Sequence, residues 1–233
     1  MNRVDLIQEI INKKKAKNYL EIGFGHGDCF FNIRASRKMV VDPEFVFLKK
    51  RTIKYFFRNL SKNLANKFYN MPSDDFFIKR SKILQDIRPD VVFVDGLHTF
   101  KQSLKDVNNA IKFINDDGVI VLHDCSPSCA SEAYPAKSYA HAAQLNLKGW
   151  TGYWSGDVWK TPVYLRSLRG DLKVFVLDFD RGVGIVRKGK EARPLEYTPT
   201  QIEAMTYHDL DTKRAELLNL KRPDYAKEFI ETL

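Results

Sequence analysis

An α/β fold built on a doubly wound, parallel sheet is predicted by three observations. Apolar runs and amphipathic stretches alternate along the chain. The two clearest strands, Asp90-Val91-Val92-Phe93-Val94-Asp95 and Gly118-Val119-Ile120-Val121-Leu122-His123, are apolar without alternation, as expected of parallel strands buried on both faces. A glycine-rich turn follows the first strand directly. Alternating strands and helices favour right-handed crossovers and helices on both faces of the sheet.

Taken in order, residues 3–15 read as an amphipathic helix with Leu6, Ile7, Ile10 and Ile11 on one face. Residues 18–22 form a strand that stops at Gly23, 27–35 a short helix, and 38–42 a second strand. Helix is expected over 45–63, strand over 66–70, and helix over 73–84 with Ser73 as its N-cap. The strand at 90–95, a helix at 100–114 and the strand at 118–123 follow. Residues 125–155 carry Ser, Pro, Gly and aromatics and read as an irregular insert reaching to about residue 160, long enough to serve as an acceptor site or lid. A helix is expected over 157–168, then strands 172–178 and 183–188 joined as an antiparallel hairpin by Asp178-Phe179-Asp180-Arg181-Gly182. The tail, 199–233, is charged and mostly helical, with a break at Pro223.

Composition excludes several classes. No apolar run reaches the roughly 20 residues of a membrane helix, and the N-terminus has no signal-peptide core, so the cytoplasm is the expected location. Three cysteines, Cys29, Cys125 and Cys129, make neither a disulfide framework nor a zinc site. The net charge is +9, and all of the excess falls in residues 1–70, which hold 15 Lys/Arg against 6 Asp/Glu. A solvated helix face gives that pattern, and so does a basic face for an anionic acceptor, a nucleic acid or an acidic membrane surface.

Ligands of open α/β sheets bind beyond the carboxyl ends of the strands. Read there, the strands end in the loop Glu21-Ile22-Gly23-Phe24-Gly25-His26-Gly27, in Asp42, in Ser73-Asp74-Asp75, in Asp95-Gly96-Leu97-His98 and in His123-Asp124-Cys125. Gly23, Gly25 and Gly27 let a ligand approach backbone. A dinucleotide loop wants a third glycine at position 28, where this chain has Asp28, a poor neighbour for a pyrophosphate. That acid, and Glu21, suit a ligand with a sulfonium and an ammonium group. Asp42 has the acceptors to take both hydroxyls of a ribose.

The ordered blocks Tyr-Leu-Glu-Ile-Gly-Phe-Gly-His-Gly, Val-Val-Asp-Pro, Ser-Asp-Asp-Phe-Phe, Val-Asp-Gly-Leu-His-Thr-Phe and Val-Leu-His-Asp-Cys-Ser-Pro, with Gly156-Asp157-Val158-Trp159-Lys160 downstream, resemble a bacterial family of class I methyltransferases associated with O-methylation of glycans and natural products. The resemblance spans roughly residues 16–190. It implies a Rossmann-like, seven-stranded sheet with an antiparallel last strand, S-adenosylmethionine as cofactor, and residues 1–190 as the methyltransferase domain, with 191–233 as a helical extension. By position it puts the methionine part at the glycine loop, with the ribose on Asp42. Ser73 and Asp74 then flank the adenine, and Asp95 completes the cofactor site.

For the chemistry, two devices are compatible with the sequence. His98 or His123 can act as base towards an acceptor hydroxyl, beside Asp95 and Asp124. Alternatively a divalent metal on Asp95, Asp124 and His98 acidifies the acceptor, although Cys125 stands where a further oxygen ligand is usual. Asp157, Trp159 and Lys160 are candidates to face the acceptor, and Trp150, Trp154 and Trp159 to form a stacking wall. The expected reaction is methylation of a hydroxyl on a sugar, glycan or small metabolite, anionic acceptors included. The competing readings are a nucleic-acid methyltransferase, for which no RNA-binding or N-methylation motif is present, a dinucleotide-dependent oxidoreductase, and a non-catalytic adenosyl-binding module.

Overall fold

The alternation of strand and helix is realised in the computed structural model, which describes residues 1–47 and 49–233. In chain order the elements are α1 (Arg3–Lys14), β1 (Asn18–Ile22), β2 (Arg37–Asp42), α2 (Lys49–Arg58), α3 (Leu60–Asn63), β3 (Lys67–Asn70), α4 (Ser73–Lys79), α5 (Ser81–Ile87), β4 (Val91–Val94), α6 (Phe100–Phe113) and β5 (Val119–Leu122). Then come α7 (Tyr139–Gln144), α8 (Lys160–Leu168), β6 (Leu172–Leu177), β7 (Val183–Lys188), α9 (Pro199–Ala204), α10 (Tyr207–Leu218), β8 (Leu220–Lys221) and α11 (Tyr225–Glu231). Eight strands are present among the described residues, against the seven expected; the additional one is the two-residue β8 in the tail. The chain divides into two units, Met1–Gly96 with Asp106–Val121 and Ala226–Leu233, and Leu97–Lys105 with Leu122–Tyr225.

In the first unit the strand order is β3-β2-β1-β4-β5. β1 pairs in parallel with β2 and β4, and β2 with β3. The register sets Ile22 opposite Val41 and Val94, and Asp42 opposite Asn70. The carboxyl ends of β1 to β4 therefore share one rim. Tyr19, Leu20 and Ile22 in β1, Met39 to Val41 in β2 and Val91 to Val94 in β4 are buried, which is why these segments read as unbroken apolar runs. α1 packs Leu6, Ile7, Ile10 and Ile11 inward. It starts at a capping box in which Asn2 Oδ1 accepts from the Val4 and Asp5 amides and the Asp5 carboxylate accepts from the Asn2 amide.

Three local expectations change in this unit. Residues 27–35 form turns rather than a helix. Gly27 O and Cys29 O still accept from backbone amides, but three further carbonyls are taken by side chains: Lys38 Nζ donates to Phe30 O at 2.7 Å and Ile33 O at 3.0 Å, and Asn59 and Asn63 Nδ2 donate to Phe31 O. The helix expected over 73–84 is two helices, broken at Arg80, whose φ of −116° and ψ of 15° leave the helical region. Ser73 is not the N-cap; Pro72 holds that position, and Ser73 Oγ donates to Asp106 Oδ1 at 2.6 Å. The helix expected over 45–63 is divided between α2 and α3, and Leu48 within it lies outside the described residues.

In the second unit the order is β7-β6-β8. β6 and β7 form the expected antiparallel hairpin, Leu177 opposite Val183, and β8 pairs in parallel with β6. The hairpin turn is fastened to the segment after β5: the Cys125 amide donates to Gly182 O at 3.0 Å and the Ser126 amide to Arg181 O at 2.8 Å. The helix expected over 157–168 begins at Lys160. Within it, the buried Arg166 guanidinium donates to Glu216 O at 2.5 Å, Leu217 O at 2.9 Å and Arg193 O at 2.6 Å. It thus ties α8 to the C-terminal end of α10 and to the strand-free stretch before α9.

Replacing Arg166 by Met would leave these carbonyls short of donors in a buried setting, at a cost of about 2–4 kcal/mol. A thermal melt of Arg166→Met is expected to fall by several degrees; an unchanged melt would mean that solvent already satisfies those carbonyls.

Candidate active site

The first unit carries the glycine loop. It leaves β1 with the Gly23 amide donating to Val41 O at 2.9 Å. Gly23 has φ +91°, and a Cβ there would lie 2.0 Å from the Asp95 carbonyl oxygen, so only glycine lets the loop cross the end of β4. Gly25, at φ +53°, is different: a Cβ added to it meets nothing within 4 Å. The loop therefore presents bare backbone to open space at its tip, which is what a cradle for a small ligand requires. At Gly27 a Cβ would run into the Phe24 and Phe31 rings, so this glycine serves packing.

Asp42 organises the loop. Its Oδ2 accepts from the Phe24 amide at 2.7 Å and its Oδ1 from the Glu44 amide at 2.8 Å. Each carboxylate oxygen keeps a second lone pair, so the residue can hold the loop and still accept from a diol. Ser73 and Asp74 open α4 on the same rim, and Asp95 follows β4 with Arg3 Nε 3.9 Å from its carboxylate. Arg3 comes from the stretch that the family resemblance left outside. Its position became legible only once α1 was packed.

Glu21 is turned inward. It is buried, and Tyr19 Oη donates to its Oε2 at 2.5 Å. Burial pushes its carboxyl up to about 8, reinforced by the Asp95 charge and opposed by the bond from Tyr19. The Cys29 thiol, 3.6 Å from Tyr19 Oη, is raised by the same burial. Lys38, close by in β2, is pushed down to about 8 by burial while three oxygens, including Asn63 Oδ1, accept from it. Glu21 thus sits beneath the loop in a buried polar group of Tyr19, Cys29 and Lys38.

The second unit holds a different cluster, centred on Asp124. This residue is 2% exposed and has φ +59°. Its Oδ2 lies 3.0 Å from His123 Nδ1 and 3.3 Å from His98 Nε2. Its Oδ1 accepts from Ser155 Oγ at 2.6 Å and from Arg181 Nε at 3.2 Å. His98 Nδ1 lies 2.7 Å from the Trp154 carbonyl. A carbonyl only accepts, so Nδ1 carries the hydrogen and Nε2 is the nitrogen that exchanges a proton. His123 Nε2 lies 3.5 Å from Asp180 Oδ1. The Arg181 guanidinium also stacks over the Tyr153 ring at 4.7 Å.

His98, His123 and Asp124 were legible as strand-end residues, and the structure brings them together. Ser155, Asp180 and Arg181 were not singled out. The last two lie in the hairpin turn, which the sequence marks only as a turn; the amide bonds from Cys125 and Ser126 carry it to Asp124. Cys125 does not join the cluster: its Sγ is buried and points back towards Leu122 O at 3.5 Å.

Asp157 accepts from the Phe100 amide at 2.6 Å and so caps the start of α6. Lys160 is largely buried, donates to Glu203 O at 2.8 Å, and is shifted below the usual lysine range by burial. With Trp159, Tyr134, Tyr207 and His208 these residues line a cleft of about 490 Å³. Trp159 itself is only 1% exposed. Trp154 packs with Trp150 and tilts against His98, ring centroids 5.5 Å apart.

Comparison with known proteins bears on this geometry. Residues 20–125 match the family model described as "Methyltransferase domain". No curated protein matches the chain. Solved structures of similar fold include the O-methyltransferase TomG from Streptomyces achromogenes, involved in tomaymycin synthesis and in complex with SAM, at 13% identity and TM-score 0.52, covering 80% of this chain and 79% of that one. Others are the SAH-bound methyltransferase PaMTH1 from Podospora anserina, at 16% identity and TM-score 0.52 over 81% and 78% of the two chains, and cofactor-bound Rv0187 from MTB, at 13% and 0.52 over 82% of each. The matched stretch contains the glycine loop, Asp42, Ser73, Asp95, His98 and Asp124. Over residues 20–125 the chain is thus similar to a methyltransferase domain, and its fold is shared with structures solved with S-adenosylmethionine or S-adenosylhomocysteine bound.

The raised Glu21 value has a consequence for stability. Between about pH 4.5 and 8 the folded chain retains a proton that the unfolded chain has released, so this residue makes stability fall as pH rises through that window. In Glu21→Gln that contribution is absent. Melting temperatures across the window are expected to decline less in the variant than in the wild type; equal declines would show that Glu21 ionises at an ordinary pH.

Proposed function

We propose that this chain is an S-adenosylmethionine-dependent methyltransferase that acts on a hydroxyl of a sugar, a glycan or a small metabolite, with His98 as the base. The observation that carries this reading is the His98–Asp124 pair, oriented by the Trp154 carbonyl on one side and by Arg181 and Ser155 on the other. S-adenosylmethionine, when bound, supplies an electrophilic methyl group on its sulfonium. Gly25 offers the open backbone for it, Asp42 the spare acceptors for its ribose, and Ser73, Asp74 and Asp95 the remainder of the rim. With the acceptor hydroxyl placed beside the His98–Asp124 pair, His98 Nε2 takes its proton as the new carbon–oxygen bond forms and the methyl carbon–sulfur bond breaks, leaving the cofactor as the neutral thioether. The buried Asp124 carboxylate stabilises the imidazolium that results. Arg181 and Ser155 hold Asp124 in place, and His123, backed by Asp180, lies against its second oxygen.

A metal on Asp95, Asp124 and His98 is the weaker reading. Asp124 Oδ1 is already shared by a hydroxyl and a guanidinium, and a dication beside Arg181 would meet a fixed positive charge. The cleft of Asp157, Trp159 and Lys160 is the candidate acceptor site, with Lys160 suited to an anionic group. Residues 1–190 are proposed as the catalytic domain and 191–233 as its extension, working in the cytoplasm. Among the described residues no helix is long and apolar enough to cross a membrane.

Calorimetry tests the cofactor. Wild type is expected to bind S-adenosylmethionine and S-adenosylhomocysteine, and Asp42→Ala to bind them at least about tenfold more weakly, the worth of one or two lost charge-assisted bonds; no binding to wild type would sink the proposal. A methyl-transfer assay tests the base. His98→Asn is expected to lower kcat by about 10²–10⁴ while cofactor affinity holds, and EDTA is expected to change nothing. Undiminished turnover in His98→Asn removes His98 from the chemistry, and loss of activity in EDTA reinstates the metal.

A further inference from the structure

Residues 45–68 contain seven Lys/Arg and neither Asp nor Glu. The same segment exposes large apolar side chains. Ile53 and Phe57, one turn apart on α2, are 56% and 64% exposed; Leu60 and Leu64, joined by the Leu64 amide bond to Leu60 O, are 39% and 72% exposed. Lys50, Lys54 and Lys62 are exposed among them, while the side chains of Lys49 and Arg51 lie outside the described residues. The inner side of the segment is fixed to the first unit. Phe56 packs on Phe31, ring centroids 6.1 Å apart, and Asn63 is buried with its amide bonded to Phe31 O, Tyr55 O and Phe56 O. The apolar side chains are therefore held outward.

We propose that α2 and α3 form a docking surface for a membrane bearing anionic headgroups. Single exposed hydrophobics are ordinary, but four within twelve residues, interleaved with lysines and free of acids, match an interfacial helix. An anionic bilayer supplies a partner to both: acyl chains to Ile53, Phe57, Leu60 and Leu64, and phosphates to the lysines. A nucleic acid would engage the lysines and leave the apolar residues in water. A second copy meeting this one across a two-fold axis would oppose lysines to lysines, with no acid in the segment to pair them.

The test is flotation of the full chain with vesicles of phosphatidylcholine alone and of phosphatidylcholine with about a third phosphatidylglycerol. Binding is expected to the second and not to the first, and to weaken with added salt. Phe57→Glu/Leu64→Glu should reduce it at least about tenfold, through lost burial and added repulsion, and Lys50→Ala/Lys54→Ala by about fivefold per lysine. Both double variants should keep the wild-type melting temperature, since all four side chains are exposed. No binding to the anionic vesicles would overturn the proposal, and so would binding that both variants retain. A concentration-dependent dimer abolished by Phe57→Glu/Leu64→Glu, or RNA that displaces the chain from vesicles, would assign the surface to those partners and overturn it equally.

Discussion

A buried carboxylate has to be compensated, and in the second unit that requirement falls on Asp124. Its two oxygens are divided among four groups: His98 before α6, its neighbour His123, Ser155 in the insert and Arg181 in the β6–β7 turn. None of these contacts is dispensable without leaving charge or polarity uncompensated away from water. The left-handed backbone of Asp124 is the conformational cost of aiming one side chain at all four. The chemistry attributed to His98 is thus an outcome of how the insert and the hairpin close on one acid.

The first unit solves a simpler problem. Parallel pairing fixes which residues end at the rim, and the register then puts the glycine loop, Asp42 and Asp95 together without further instruction. Asp42 uses one lone pair on each oxygen to hold the loop it serves. Glu21, one residue before the end of β1, points instead into the buried group of Tyr19, Cys29 and Lys38, so the acid that precedes the glycines acts from below.

What could be read from the sequence follows from the range of the interactions involved. Buried parallel strands, the glycine turn and the hairpin each depend on neighbours a few residues away, and β1, β4, β5 and β7 all appeared where the apolar runs predict them. The helix expected at 27–35 is only a pair of turns, and the carbonyls of Phe30, Phe31 and Ile33 bond to Lys38, Asn59 and Asn63 in place of backbone amides further along. Ser73 left its capping role for Asp106, thirty-three residues on. Arg181 and Asp180 carried only a turn signal, and their place beside Asp124 and His123 depends on bonds made across more than fifty residues. Strand ends pointed to the chemistry, while the groups that orient it became visible only with the tertiary pairing.

The strand β8 and the Arg166 clasp also bear on how the polypeptide can be divided. Truncation after β7, where the family resemblance ends, would remove the strand that covers one side of β6 and the α10 carbonyls that Arg166 serves. An uncovered strand edge is a template for pairing with other chains, so such a fragment would be prone to aggregate. The helical tail is therefore best kept as part of the folding unit in any shortened form of the chain, however little its sequence suggests that role.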